Sequence, residues 1–327
     1  MKFQFSRRAA VLGAAALLAL PAFAQTFPSR PIKILVAFGP GGTADTISRV
    51  YGQKMSELLN TPVIIENRPG ANQITAIRAL MASPPDGYTL YAATGSSLIQ
   101  NPALRQGLPY DPLKDFTLIG MAATNPGVIF VSPALPIHNI KELVAYGKAN
   151  PGKLNYGSAG LGTAGHLAAE ALMSATGLKM THIPYKADAD VIRETMAGNI
   201  HVGIFTTLNT VQAVKAGQVR AIAVTTEKRL PYLPEVEALP EAGMKNLTAL
   251  DPHTFISFVG PAGMPAAVVT KLNDAINKVS ASPDVADRVR NTFNAEPGSL
   301  TPAGFRQFVE AQLAIWREIG KTVKLPD

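Results

Sequence analysis

Two short stretches of this chain combine small residues with the start of a helix, an arrangement that can hold an anion. One is Phe38–Asp45, Phe-Gly-Pro-Gly-Gly-Thr-Ala-Asp. The other is Asn155–Leu167, Asn-Tyr-Gly-Ser-Ala-Gly-Leu-Gly-Thr-Ala-Gly-His-Leu. Each follows an apolar strand pattern and opens an apolar helix pattern. A loop of this build leaves backbone N–H groups unpaired and aimed at one point, where the positive end of the helix dipole also lies. Such a place holds an anion without a side-chain cation. The two loops are expected to face each other across a cleft and to hold a small carboxylate.

Other chemistries fit the same residues less well. Gly160-Leu161-Gly162-Thr163-Ala164-Gly165 matches the dinucleotide pattern G-x-G-x-x-G between a strand and a helix. Asp188 or Asp190 lies farther on than the usual ribose acid, and a leader peptide argues for a compartment poor in nicotinamide cofactors. A small-anion loop is preferred, and a purely structural turn stays open. Ser158 beside glycines suggests a nucleophile elbow, but Tyr156 stands where G-x-S-x-G needs glycine. His166, His182 and the pair Asp251/His253 supply material for a triad without any spacing that demands one. The five histidines are scattered and cysteine is absent, so no metal is expected.

Several neighbours of the loops have two readings. His166, in the first turn after the second loop, is a packing or capping residue or a ligand contact. Asp45 is expected to order its loop, since a carboxylate in a first turn stabilises the dipole. Thr206 and Thr207 open a helix after an apolar strand, as an ordinary N-cap or as a polar wall of the cleft. Phe38 and Phe205, at strand ends, are either core or the apolar sides of the pocket.

The elements that position these groups alternate. Ile32–Phe38, Pro62–Glu66 and Tyr88–Ala93 read as strands, with helices over Ala44–Leu59 and around Ile74–Met81 between them. This βαβαβ unit implies a parallel sheet with its crevice at the carboxyl strand ends, which puts Gly39–Thr43 and Thr94–Ser97, including Ser96 and Ser97, on one edge. Thr117–Ser132 is strand material broken at Asn125-Pro126-Gly127, a crossing into a second lobe. There, strands Leu154–Gly157, Met180–Pro184, Ile200–Phe205 and Val219–Thr225 alternate with helices at 140–149, 163–176, 191–197 and 208–215. Lys228–Gly243 reads as loop, Phe255–Val259 as a strand returning to the first lobe. Helices at 266–280, 284–291 and 302–322 close the chain. The fold class is therefore α/β, with lobe 1 over 25–124 and 250–327, lobe 2 over 125–249, and a ligand cleft between them.

Composition agrees with a transported protein that binds no polymer. Lys2, Arg7 and Arg8 precede the apolar run Ala9–Leu20, and Ala22-Phe23-Ala24 is a small-x-small cleavage site. Residues 1–24 therefore read as a signal peptide, by the general or the twin-arginine route. Cleavage removes three bases and no acid, leaving 27 bases against 23 acids, a net charge of +4. That is mild, with no basic block, so no nucleic-acid partner is expected.

Motifs along nearly the whole chain resemble one family. They include Phe27-Pro28-Ser29-Arg30-Pro31-Ile32, Gly39-Pro40-Gly41-Gly42-Thr43-Ala44-Asp45, Glu66-Asn67-Arg68-Pro69-Gly70 and Pro85-Asp86-Gly87-Tyr88-Thr89-Leu90. Asn101-Pro102-Ala103-Leu104, Leu108-Pro109-Tyr110-Asp111-Pro112, Asn150-Pro151-Gly152-Lys153-Leu154-Asn155-Tyr156, Gly160-Leu161-Gly162-Thr163, Ile183-Pro184-Tyr185-Lys186, Lys215-Ala216-Gly217 and Pro261-Ala262-Gly263 continue them. In order and spacing they resemble the solute-binding receptors of tripartite tricarboxylate transporters, the Bug/TctC family. The resemblance implies a type 2-like periplasmic binding protein, monomeric and without cofactor, whose lobes close on a small organic carboxylate and deliver it to a membrane permease. It implies backbone contacts from Gly41, Gly42, Thr43 and Asp45 in one lobe and Ser158, Ala159, Gly160, Gly162 and Thr163 in the other. Two departures stand out. Phe205 and Thr206 occupy the places of a frequent Asp-Asn pair, which makes an amino-acid ligand doubtful. Ala71-Asn72-Gln73 replaces the usual glycine-rich stretch. Both fit a non-amino acid with an apolar or aromatic body, such as a dicarboxylate. A secreted hydrolase or dehydrogenase using the Ser158 loop is the alternative.

Overall fold

The apolar run after Pro31 forms β1 (Ile32–Val36), flanked in parallel by β2 (Val63–Asn67) and β3 (Thr89–Thr94), with Ile34 opposite Ile65 on one side and Leu90 on the other. Burial on both faces explains its lack of polar alternation. This computed structural model describes residues 27–244, 247, 250 and 254–321. Residues 1–24, read above as a leader peptide, and the Asp251/His253 pair lie outside the described residues.

The first sheet does not remain parallel. β4 (Phe116–Asn125) and β10 (Thr254–Pro261) join it antiparallel, and the two-residue β11 (Glu296–Pro297) forms one edge, giving the order β11-β4-β10-β3-β1-β2. The βαβαβ reading thus covers half of a mixed sheet, because the returning strand pairs from the opposite direction. Helices α1 (Thr43–Leu59) and α8 (Ala266–Ala281) bury Ile47, Tyr51, Leu272 and Ile276 on one face. On the other face α2 (Ile74–Met81) and α10 (Pro302–Ile319) bury Ile77, Phe305 and Trp316. After β3 the chain makes a wide helical turn, Ser96–Gln100, that runs into the short α3 (Asn101–Leu104).

A single residue, Pro126, separates β4 from β5 (Gly127–Val131), the first strand of the second sheet. The sheet is completed by β6 (Asn155–Ser158), β7 (Thr181–Pro184), β8 (Val202–Thr206) and β9 (Arg220–Val224), in the order β7-β6-β8-β5-β9. β6 runs parallel to β7 and β8, and β5 antiparallel to β8 and β9. Helices α4 (Ile140–Ala149), α5 (Ala164–Thr176), α6 (Asp188–Met196) and α7 (Thr207–Lys215) complete this half. α6 starts earlier than its apolar spacing suggests, because Asp188 and Asp190 in its first turn complement the dipole. Turns and bends over 228–243, with one bridge from Ala238 to Val224, match the loop reading. The short α9 (Pro283–Asp287) and a wide turn, Arg288–Thr292, stand where the sequence pattern predicts one helix.

Candidate functional site

Four helices of eight residues or more begin at one cavity. Its lining includes Thr43 and Ala44 at the start of α1, Thr163, Ala164 and Gly165 at the start of α5, Ala187 and Asp188 at α6, and Thr206 at α7. None of the four N-cap residues, Gly42, Thr163, Ala187 and Thr206, caps its helix with a side-chain hydrogen bond. First-turn amides and four dipole ends therefore converge on about 90 Å³ of space, which favours a negative group. Phe38, Gly42, Thr43, Ser96, Ala159, Thr163, Phe205 and Thr206 line this chamber. Gly160 lines its outer neighbour instead. Gly41, Asp45, Ser97, Ser158, Gly162, His166 and Thr207 line neither compartment.

The first loop is tied down by charge. Asp45, buried in the first turn of α1, accepts the Gly41 N–H at 2.9 Å and the Arg49 Nε–H at 2.9 Å on Oδ2, and the Asn67 Nδ2–H at 2.8 Å on Oδ1. Burial alone raises its pKa, but the hydrogen bonds from Arg49, Gly41 and Asn67 outweigh this and hold the carboxyl below its usual value. Its oxygens are thus engaged in ordering the loop.

The second loop is tied down by neutral groups. The Gly162 N–H donates to Nδ1 of His166 at 3.2 Å, and Thr163 Oγ1 donates to the Gly160 carbonyl at 2.8 Å. Ser158 Oγ donates to the same carbonyl at 3.0 Å, accepts the Gly160 N–H at 3.1 Å and lies 2.7 Å from His182 Nε2. All three contacts are satisfied when His182 carries its proton on Nε2 and donates it to Ser158. In that tautomer His182 is no base for the hydroxyl, and Ser158 is fully buried. Tyr156, His166 and His182 stack, with ring centroids 4.5–6.3 Å apart. Burial, then the charges of His182 and Arg105, push the His166 pKa down to about 3, and burial lowers that of His182. The imidazole that accepts the loop amide is therefore neutral.

Across the chamber the hydroxyls of Thr43 and Thr206 meet at 2.8 Å, joining the two halves. Thr206 is thus an N-cap by position and a bridge by its side chain. Thr207 instead donates to the Asn294 carbonyl at 2.6 Å. Phe205 packs on Phe130 and also lines the chamber.

An outer compartment of about 840 Å³ adjoins the chamber where Phe38, Gly39, Ala159, Thr163 and Lys186 line both. Its wall includes Gly70–Gln73 and Arg105, residues without a site motif of their own. Ala71, Asn72 and Gln73 all have left-handed φ, of 44°, 52° and 73°, a conformation costing non-glycine residues about 1–2 kcal/mol each. The cost at Gln73 is offset by a buried amide with three hydrogen-bond partners. Its Nε2 donates to Ser96 at 2.9 Å, and its Oε1 accepts from Tyr91 and Thr94 at 3.0 Å each. Ser96 is held toward the chamber by this network, whereas Ser97 turns back onto the backbone of Thr94. Gly162 touches the lobe-1 side of the cleft: a Cβ there would lie 2.4 Å from Asn72 Nδ2 and 2.5 Å from Asn101 Oδ1, at a φ of +71°. The glycine-rich spacing alone indicates a loop here but none of these partners.

The profile of the tripartite tricarboxylate transporter family receptor matches residues 47–325. The chain is 36% identical to a UPF0065 protein of Bordetella pertussis, over 97% of this chain and 98% of that one. Its fold superposes on Rpa4515 of R. palustris with adipate at a TM-score of 0.83, with 30% identity, covering 91% of this chain and 98% of that one. The periplasmic binding protein BugD gives a TM-score of 0.82 at 29% identity, covering 91% and 100%.

Proposed function

Since this chain belongs to the tripartite tricarboxylate transporter receptor family, we propose that it captures a small organic carboxylate, aromatic or aliphatic and with room for a diacid, in the cleft between its two sheets. The observation that carries this reading is the meeting of four helix N-termini, none capped by its own N-cap side chain, around one chamber. Gly42, Thr43, Ala159 and Thr163, with Ser96 and Thr206, surround the bound group, while Asp45, Ser158 and His166 shape the loops. Phe38 and Phe205 pack against the body of the solute.

Capture proceeds by lobe closure. The open form samples the closed one, and the carboxylate favours closure because only there do amides of both loops reach it. Hydrogen bonds to a charged group contribute roughly 1.5–3 kcal/mol each, and a few supply the roughly 8 kcal/mol of a micromolar complex. The loaded, monomeric receptor then delivers the solute to membrane permease subunits outside the cytoplasm. This sequence of steps needs neither a nucleophile nor a cofactor.

Calorimetric titration tests the reading, with butanedioate, hexanedioate, an aromatic diacid, aspartate and an uncharged diamide. Aspartate belongs in the panel because Asp188 also lines the chamber. The three non-amino diacids are expected to bind in the micromolar range, aspartate more weakly and the diamide not at all. Binding of the diamide alone, or turnover of an ester panel, overturns it.

A further inference from the structure

The inner and outer compartments differ about ninefold in size, about 90 against about 840 Å³. At about 10–15 Å³ for each water-sized occupant, the inner chamber takes a carboxylate and a few atoms of chain. A longer solute leaves its far end beyond Phe38, against the wall that carries Arg105. Arg105 ends α3, where the backbone leaves the helix in an extended conformation. Its Nε is buried without a hydrogen-bond acceptor, and among the described residues the guanidinium enters no ion pair. Its charge nevertheless reaches across the cleft to His166. Asn72 lines the same wall, held there by its left-handed backbone, and its side-chain oxygen is also buried without a partner.

A half-buried guanidinium without a carboxylate is a costly arrangement unless an anion completes it. Its planar fork matches a carboxylate through two parallel N–H···O bonds, which an ammonium cannot reproduce. Resting on the carboxylate reading above, we infer that the solute is a dicarboxylate whose second acid group passes Phe38 and is held in the outer compartment by Arg105, with Asn72 beside it. The inner chamber then sets affinity for any carboxylate, and Arg105 selects the diacid from the monoacid. Asn72 offers both a donor and an acceptor, so it serves an acid oxygen or a hydroxyl on the chain equally.

The test is calorimetric titration of hexanedioate and hexanoate into the wild-type protein, R105A and R105K. Wild type is expected to favour hexanedioate at least about tenfold, the effect of one charged hydrogen-bond pair. R105A is expected to erase that preference, weakening hexanedioate about ten- to a hundredfold and hexanoate far less. R105K keeps the charge without the fork and falls between. Equal weakening of both acids in R105A, or unchanged hexanedioate binding, overturns the inference. Wild type binding both acids alike also overturns it while leaving the carboxylate reading intact; wild type binding neither overturns that reading too. Melting curves accompany each titration, and R105Q replaces R105A where the alanine variant does not fold.

Discussion

The two glycine loops share a sequence core and differ in what holds them. Gly42-Thr43-Ala44 opens α1, and Gly162-Thr163-Ala164 opens α5. The next residue is Asp45 in the first case and Gly165 in the second. Asp45 has room to turn back and accept the Gly41 amide. At Gly165 the helix sits so close to β8 that a Cβ would lie 2.6 Å from the Ile204 carbonyl oxygen, and no side chain fits. The tether therefore moves one residue on, to His166, which accepts the Gly162 amide. In both loops a glycine N–H is fixed by the side chain four residues later, a carboxylate in one and a neutral imidazole in the other. The same mechanical task is thus performed by groups that titrate in different ranges.

That contrast can be broken from either side. The largest expected effect is that of Asp45→Ala, which leaves the Gly41 N–H, Asn67 and Arg49 without their acceptor. Urea unfolding is expected to show a loss of about 3 kcal/mol, and carboxylate binding to fall with it; a loss near zero means that the carboxylate does not order the loop. Acid separates the two tethers. The folded pKa of His166, about 3, lies below its unfolded value of about 6.5, so its contribution is complete above pH 6.5 and is lost as pH falls toward 3. By pH 5.5 the loss from this group is about 1.4 kcal/mol. His182 and His201, both lowered by burial, act in the same direction. Asp45 remains ionised there, and its share disappears only below the ordinary carboxylate range. His166→Asn is expected to flatten the decline between pH 7 and 5, and an unchanged slope removes His166 from the account. The smallest effect is that of Thr206→Val, which deletes the hydroxyl joining the halves. It is expected to weaken carboxylate binding by about 1 kcal/mol in a calorimetric titration without altering the pH response of either loop; unchanged affinity makes the bridge irrelevant to binding.

Much of this layout is legible in the sequence, because it rests on local pattern. Ile32–Phe38 and the broken run Thr117–Ser132 read as strands from apolar residues, and helices over 44–59, 163–176 and 208–215 from their spacing, each within a few residues of the observed bounds. What escapes is whatever depends on registration between distant segments. Gln73 becomes a buried, triply hydrogen-bonded amide only because Tyr91, Thr94 and Ser96 are brought to it. Arg105 lines the outer compartment from the end of α3, which follows the wide turn Ser96–Gln100, and no periodicity announces such a turn. The antiparallel course of β10 is hidden for the same reason: an apolar strand carries no mark of its direction. Ser158 and His182 enter the sequence reading separately, as weak hydrolase material, and only the structure brings them into one buried contact beneath the Gly160 loop.

The left-handed triplet Ala71-Asn72-Gln73 has one more implication. Glycine at position 72 takes the same left-handed φ without a Cβ, but asparagine already tolerates it and glycine frees the unfolded chain, so the two effects on stability oppose each other. The same exchange would silence the amide that the outer wall presents. A variant with glycine at that point should therefore be less discerning with little change in stability, selectivity being lost with a single side chain.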